Sequence, residues 1–284
     1  MSDRFKVILA SGLAVIVGWS TTALFVKGGR ELAIHIPEYS TATLIYEARA
    51  SAGDYSPRTY YLRADAPSPP ELKARSYIVA DLLTGDVLIQ KNPDKPYPIA
   101  SVSKLITALT AVDMHLSDTD LLYPLLLESS NSAADEIAKQ LGGRQFVDAM
   151  NGYVKSLGIT HTYFADPSGI SPRNMSSASD LLLIAKHIYK EKPEILELTL
   201  LTEKRDWRTN NLFVQERHPN YIGGKSGFTP EAKGTLLAIF ALPLSDGELR
   251  PVAVILLGTD SERGVKYEVA QSIIDYILEN VYFK

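Results

Sequence analysis

The chain has no cysteine. That removes disulfides, thiolate nucleophiles and cysteine-based zinc sites together, and it leaves the redox compartment open. Its five histidines stand at 35, 115, 161, 187 and 218. No two of them form an HExxH-like pair, so no metal is expected. Charge of one sign is also missing. With 29 Lys and Arg against 33 Asp and Glu, the formal net charge is -4, and no nucleic-acid partner is expected. There is no internal repeat and no low-complexity tract. What is present is ordinary for a globular protein: 284 residues, 45% hydrophobic and 22% charged, enough for one large domain and an appendage.

The N-terminus departs from that picture. Residues 7–26, VILASGLAVIVGWSTTALFV, carry no charge and lie between Arg4 and Lys6 on one side and Lys27 and Arg30 on the other. Twenty such residues in a helix reach roughly 30 Å, the hydrocarbon thickness of a bilayer. We read residues 7–27 as a transmembrane signal anchor behind a cytoplasmic stub at 1–6, with a cleaved signal peptide as the rival. Either reading places the rest of the chain outside the cytoplasm, on the periplasmic or cell-wall side of the cell membrane. Residues 28–70, interrupted by Pro37, Pro57, Pro67, Pro69 and Pro70, read as a juxtamembrane linker, and 71–284 as the domain proper.

Within that domain, Tyr77–Asp81 and Val87–Gln90 are apolar runs around Leu83-Thr84-Gly85-Asp86, a hairpin signal. Leu105, Ile106, Leu109 and Val112 share one face of a helix that begins near Ser101. Leu121–Leu127 reads as a short helical run. Helices follow over Ala133–Leu141 (closed by Gly142-Gly143), Phe146–Leu157 (closed by Gly158) and Asp180–Tyr189, the last with Ser179 as its cap. Leu236–Leu242 and Val252–Leu257 have strand length, and Gly264–Asn280 is an amphipathic helix. The order of hairpin, helical middle, strands and helix predicts an α+β fold. Its terminal segments build one antiparallel sheet flanked by helices, and its middle forms a helical lobe.

Three short patterns carry chemistry. Ser101-Val102-Ser103-Lys104 sets a hydroxyl and an amine three residues apart on one helical face, the spacing of a serine nucleophile and its base. Ser129-Ser130-Asn131 offers a second hydroxyl and an amide in a turn. Lys225-Ser226-Gly227 adds a cation, a hydroxyl and a permissive backbone. Each alone is commonly a helix surface, a cap or a loop; in the order SxxK, SxN, K[ST]G they form a known catalytic set.

With these motifs the chain resembles the low-molecular-weight penicillin-binding proteins, the serine D-alanyl-D-alanine carboxypeptidases and related endopeptidases. The likeness covers about residues 71–280. It includes the stretches SYIVADLLTGDVLIQKNPDKPYPIASVSKLITAL, LGITHTYFADPSGI and GGKSGFTPEAKGTLLAIFA. It implies a β-lactamase/DD-peptidase-like fold. Ser101 would form an acyl-enzyme with peptidoglycan stem peptides, and β-lactam antibiotics would inhibit covalently. By the same resemblance Lys104 is the base, Ser129 relays the proton to the leaving amine, and Asn131 holds the substrate amide and Lys104. Lys225 and Ser226 bind the terminal carboxylate, and Gly227 lets the strand approach the substrate. The backbone N–H groups of Ser101 and Phe228 form the oxyanion hole. No cofactor has a task in this scheme. Lys104 is expected near pKa 8, lowered by burial and by the charge of Lys225.

Three departures stand out: Ser226 replaces the usual threonine, Ser132 the common aspartate, and residues 105–128 are a short version of a longer segment. The last implies a shortened helical lobe and a missing wall of the cleft. A β-lactamase reading would need a Glu-x-x-x-Asn spacing that Glu191, Glu194 and Glu197 do not supply. A non-catalytic peptidoglycan-binding protein would suit the short lobe, but not the retention of every motif side chain.

Overall fold

A computed structural model describes residues 60–243, 248–260 and 264–283. Strands β1 (Tyr60–Leu62), β2 (Ser76–Asp81), β3 (Val87–Lys91) and β4 (Tyr97–Pro98) precede helices α1 (Lys104–Asp113), α2 (Asn131–Gln140) and α3 (Arg144–Ser156). Next come β5 (Met175–Ser176), α4 (Ala178–Glu191), α5 (Pro193–Thr199), β6 (Glu203–Lys204), β7 (Trp207–Arg208) and α6 (Leu212–Gln215). The long strands β8 (Tyr221–Thr229), β9 (Lys233–Pro243) and β10 (Leu249–Thr259) are followed by α7 (Val265–Asn280) and β11 (Val281–Phe283). The transmembrane segment expected over 7–27, and the linker up to residue 59, lie outside the described residues.

Five strands form one antiparallel sheet in the order β3-β2-β10-β9-β8. In β9 and β10 successive side chains go to different cores. Leu237, Ile239, Ala253, Ile255 and Leu257 face the helical lobe; Leu236, Ala238, Phe240, Val252, Val254 and Leu256 face α7. A strand buried on both faces has no polar side, which is why both read as continuous apolar runs. On the far face, Ala270, Ile273, Ile274 and Ile277 of α7 are fully buried, the one-sided stripe of an amphipathic helix. Helix α1 differs: Lys104 through Ala111 are all buried, so the helix behind Ser101 runs through the core.

Several expectations are corrected. The end of the expected linker belongs to the fold: β1 pairs antiparallel with β11, Tyr60 opposite Phe283, and the Tyr276 hydroxyl donates to the Pro67 carbonyl at 2.9 Å. The cap of α4 is Ser177, whose Oγ accepts from the Asp180 N–H at 3.0 Å. Ser179 lies inside the first turn, and its N–H donates to the Pro93 carbonyl. The run Leu121–Leu127 is a 3-10 turn (Thr119–Leu121) followed by a π turn (Pro124–Glu128). The wide π turn ends with Ser129 in the left-handed region at φ +63°.

Candidate active site

The turn that carries Ser101 is held from three directions. The Ile99 N–H donates to the Asn174 carbonyl at 3.0 Å, and Thr235 Oγ1 on β9 donates to the Ile99 carbonyl at 2.9 Å. Ala100 turns the chain at φ +47°, uncommon for a residue with a side chain. Ser103 Oγ then donates to the Ala100 carbonyl at 2.8 Å and accepts from Asn174 Nδ2 at 3.1 Å. A 3-10 turn over Ala100–Ser103 leads into α1, so Ser101 precedes the α-helix proper. Two glycines press on this turn. A Cβ on Gly227 would lie 2.6 Å from the Ser101 nitrogen, and one on Gly169 would lie 2.0 Å from the Ala100 oxygen. Only glycine permits both approaches.

Lys104 is fully buried. Its Nζ is 3.0 Å from Ser101 Oγ, 2.7 Å from Asn131 Oδ1 and 2.5 Å from the Ser168 carbonyl oxygen. A neutral amine has two N–H donors and one lone pair. The amide and carbonyl oxygens take the donors, and the lone pair is left facing the serine hydroxyl. Burial lowers the Lys104 ammonium to about 8, against the opposing pull of Asp166 and Asp135. Lys225, 3% exposed, is lowered further, to about 7, by burial first and then by the charges of Lys104 and Lys266. The expected influence of Lys225 on Lys104 therefore runs mainly in reverse, because the like-charge penalty falls on whichever amine gives up its proton first.

The loop carrying the Ser168 carbonyl is built around Asp166. Its Oδ1 accepts from the N–H groups of Ser168 and Gly169, both at 2.7 Å, and from Ser168 Oγ at 2.8 Å; Oδ2 accepts from the Ser171 N–H at 2.8 Å. Burial pushes this carboxyl up, but those hydrogen bonds together outweigh it and hold it below the usual carboxylate range. Asp166-Pro167-Ser168-Gly169 is legible in the sequence as a turn; that it presents a carbonyl to Lys104 is not.

A cavity of about 420 Å³ joins the predicted residues. Ser101, Ser129, Lys225, Ser226, Gly227 and Phe228 line it, together with Asn210 and Tyr267. Asn131 reaches the site through Lys104. Ser129 Oγ is buried without a hydrogen-bond partner. Lys225 Nζ donates to the Ser226 carbonyl at 3.0 Å, and Phe228 stands at the mouth, 45% exposed.

The β6–β7 hairpin packs on the turn before Ser129: Trp207 stacks on Tyr123 at 6.2 Å, and Arg205 pairs with Asp120. Asn210 donates from its backbone N–H to the Leu127 carbonyl at 3.0 Å and from Nδ2 to the Glu128 carbonyl at 2.8 Å. The sequence gives Asn210, Ser168 and Tyr267 no role in the site, and no local pattern marks Asn210 or Tyr267.

Comparison with known proteins follows this geometry. A family model described as D-alanyl-D-alanine carboxypeptidase matches residues 63–115 and 109–256, its two stretches overlapping inside the short segment. The chain is 30% identical to the D-alanyl-D-alanine endopeptidase of Escherichia coli over 237 residues, covering 68% of this chain and 74% of that protein. It is 30% identical to the D-alanyl-D-alanine carboxypeptidase DacB2 of Mycobacterium tuberculosis, covering 73% and 83%. Among solved structures, the ampicillin-bound penicillin-binding protein D2 of Listeria monocytogenes is similar at a TM-score of 0.64 and 27% identity, covering 72% of this chain and 98% of that one.

Proposed function

The chain belongs to the D-alanyl-D-alanine carboxypeptidase family, and we propose that it hydrolyses peptidoglycan stem peptides through an acyl-enzyme on Ser101. The observation that carries this is the buried Lys104 amine, 3.0 Å from Ser101 Oγ with its other two partners both oxygen acceptors. The Ser101 hydroxyl gives its proton to the Lys104 lone pair as Oγ bonds to the carbonyl carbon of the penultimate D-alanine. The backbone N–H groups of Ser101 and Phe228 receive the oxyanion. Collapse breaks the C–N bond, and the departing D-alanine amine takes the proton from Lys104 by way of the partnerless Ser129 hydroxyl. Water then attacks the ester, with Lys104 again the base, and Ser101 is restored.

Lys225 and Ser226 stand where the leaving residue's carboxylate would lie. That carboxylate would restore the proton that burial takes from Lys225, so binding carries proton uptake with it above about pH 7. A β-lactam, an acyl donor with a carboxylate of its own, would enter the same site and stay bound as an ester. The uncharged run at 7–26 supports placement of this domain outside the cytoplasm, held at the membrane by residues 7–27; fractionation of the full chain tests it. The reaction is tested by incubating the protein with a penicillin and measuring intact mass. We expect one stable adduct on Ser101, absent in Ser101→Ala. No adduct, or the same adduct in the variant, sinks the proposal, and rapid turnover of the adduct would favour a β-lactamase. Release of D-alanine from a pentapeptide, set against cleavage of a cross-linked dimer, separates carboxypeptidase from endopeptidase.

A further inference from the structure

Ser226 stands where a threonine is usual. A threonine's second Cβ substituent restricts χ1, whereas a serine hydroxyl is free to choose among three staggered wells. A carboxylate contact made by an unrestrained serine would first have to order that hydroxyl. In this chain a second element does so. The Tyr267 hydroxyl, on the first turn of α7, donates to Ser226 Oγ at 2.8 Å. A hydroxyl that accepts one hydrogen bond still has its own proton to donate. With the Tyr267 side occupied, that proton is turned toward the cavity that both residues line.

Tyr267 is well placed to hold a fixed position. It is 7% exposed, and its ring meets Phe213 edge to face at 4.9 Å. Its backbone N–H donates to the Gly264 carbonyl at 2.9 Å, and Lys266 Nζ lies 5.2 Å from its ring centroid. The ring is packed in the core between the sheet and α7, so the hydroxyl is delivered by a rigid lever.

We propose that Tyr267 is a positioning residue for the substrate carboxylate, its hydroxyl fixing Ser226 in place of the side-chain methyl that this chain lacks. This rests on the reading of Ser226 as part of the carboxylate subsite. Tyr267 acts through Ser226 and touches no reacting atom.

The test is a mutant cycle on the full protein: D-alanine release from a peptide ending in D-Ala-D-Ala, with the hydrolysis rate of the acyl-enzyme measured separately. Tyr267→Phe keeps the packed ring and removes the hydrogen bond to Ser226. It should lower kcat/KM about five- to tenfold. Acyl-enzyme hydrolysis should stay within about twofold, because the carboxylate has left with D-alanine by then. Adding Tyr267→Phe to Ser226→Ala should cost nothing more. In a Ser226→Thr background its effect should shrink to less than about twofold, since the methyl takes over the restraint. An unchanged kcat/KM in Tyr267→Phe, or an equal loss in the Ser226→Ala background, overturns the proposal. If Ser226→Ala alone leaves kcat/KM intact, the carboxylate reading of Ser226 fails, and the role of Tyr267 falls with it.

Discussion

Arg250 and Lys104 are both cations removed from water, 2% and 0% exposed, but their surroundings differ in kind. Arg250 on β10 meets a carboxylate: its Nε and Nη2 donate to Asp81 Oδ2 at 2.9 and 2.6 Å, and the Tyr60 hydroxyl donates to the same oxygen. Lys104 meets a hydroxyl, an amide oxygen and a carbonyl, none of them charged. Lys225, 3% exposed, is hydrogen-bonded to a backbone carbonyl. A buried cation with a carboxylate keeps its proton and ties strands together. One given only neutral acceptors is held near the point of losing it, which suits proton transfer and costs stability.

The strongest attack on this contrast removes the unpaired cation. Lys104→Met should lower the rate of acylation by about 10³- to 10⁴-fold, the upper range for a general base, followed with penicillin in stopped flow. Its stability should move the other way. The unfolded chain holds the Lys104 proton up to about 10.5, while the folded protein releases it near 8. Between those values the unfolded state binds more protons, so folding stability rises with pH there. The withheld amount, present in full below pH 8, is of the order of 3 kcal/mol. Urea unfolding at pH 7 and pH 10 should show a wild-type gain that shrinks in the variant to the part supplied by Lys225; an equal gain in both breaks the contrast.

Removing the paired cation should do the opposite. Arg250→Leu leaves Asp81 buried without its counter-ion and should cost about 3–5 kcal/mol of stability. Activity per folded molecule should be retained, because the pair lies on β2 and β10 and lines no part of the cavity. Joint replacement with Asp81→Asn should recover much of the loss, because the amide oxygen can still accept from the Leu83 and Thr84 N–H groups that Asp81 Oδ1 holds at 2.6 and 3.1 Å. A double variant no more stable than the single one breaks the contrast.

The smallest effect is in pH dependence. The proposed mechanism needs Lys104 without its proton and Lys225 with it, lowered to about 8 and about 7 respectively. The profile of kcat/KM should be a bell centred at about pH 7.5, falling about tenfold per unit on each side. In Lys225→Arg the alkaline limb should disappear, since a guanidinium does not titrate in this range. An alkaline limb that survives this change would assign it to another group.

Much of the fold was legible because its signals are local. Leu83-Thr84-Gly85-Asp86 turns a hairpin whichever sheet it joins, and Gly142-Gly143 ends a helix from within its own turn. The cap of α4 was misread by two residues because Ser177 and Ser179 offer the same hydroxyl. The choice was made by Pro93, far back in the chain, whose carbonyl takes the Ser179 N–H. The pairing of β1 with β11 had no sequence signal, since Tyr60–Leu62 carries no mark of a partner at Val281–Phe283.

In the site the same division holds. The side chains that would do chemistry, Ser101, Lys104, Ser129, Asn131, Lys225 and Ser226, are marked by three short motifs and by the family resemblance those motifs carry, because nucleophile, base and anion receptor each demand particular functional groups. The sequence by itself determined that inventory and the order of elements carrying it. Tertiary structure decided what surrounds it: the Ser168 carbonyl on Lys104, Asn210 behind the Ser129 turn, and Tyr267 on Ser226. Burial brings Lys104 to about 8, and burial with like charge brings Lys225 to about 7. Those effects depend on distance and on the exclusion of water, which arise only when segments far apart in the chain close on one another.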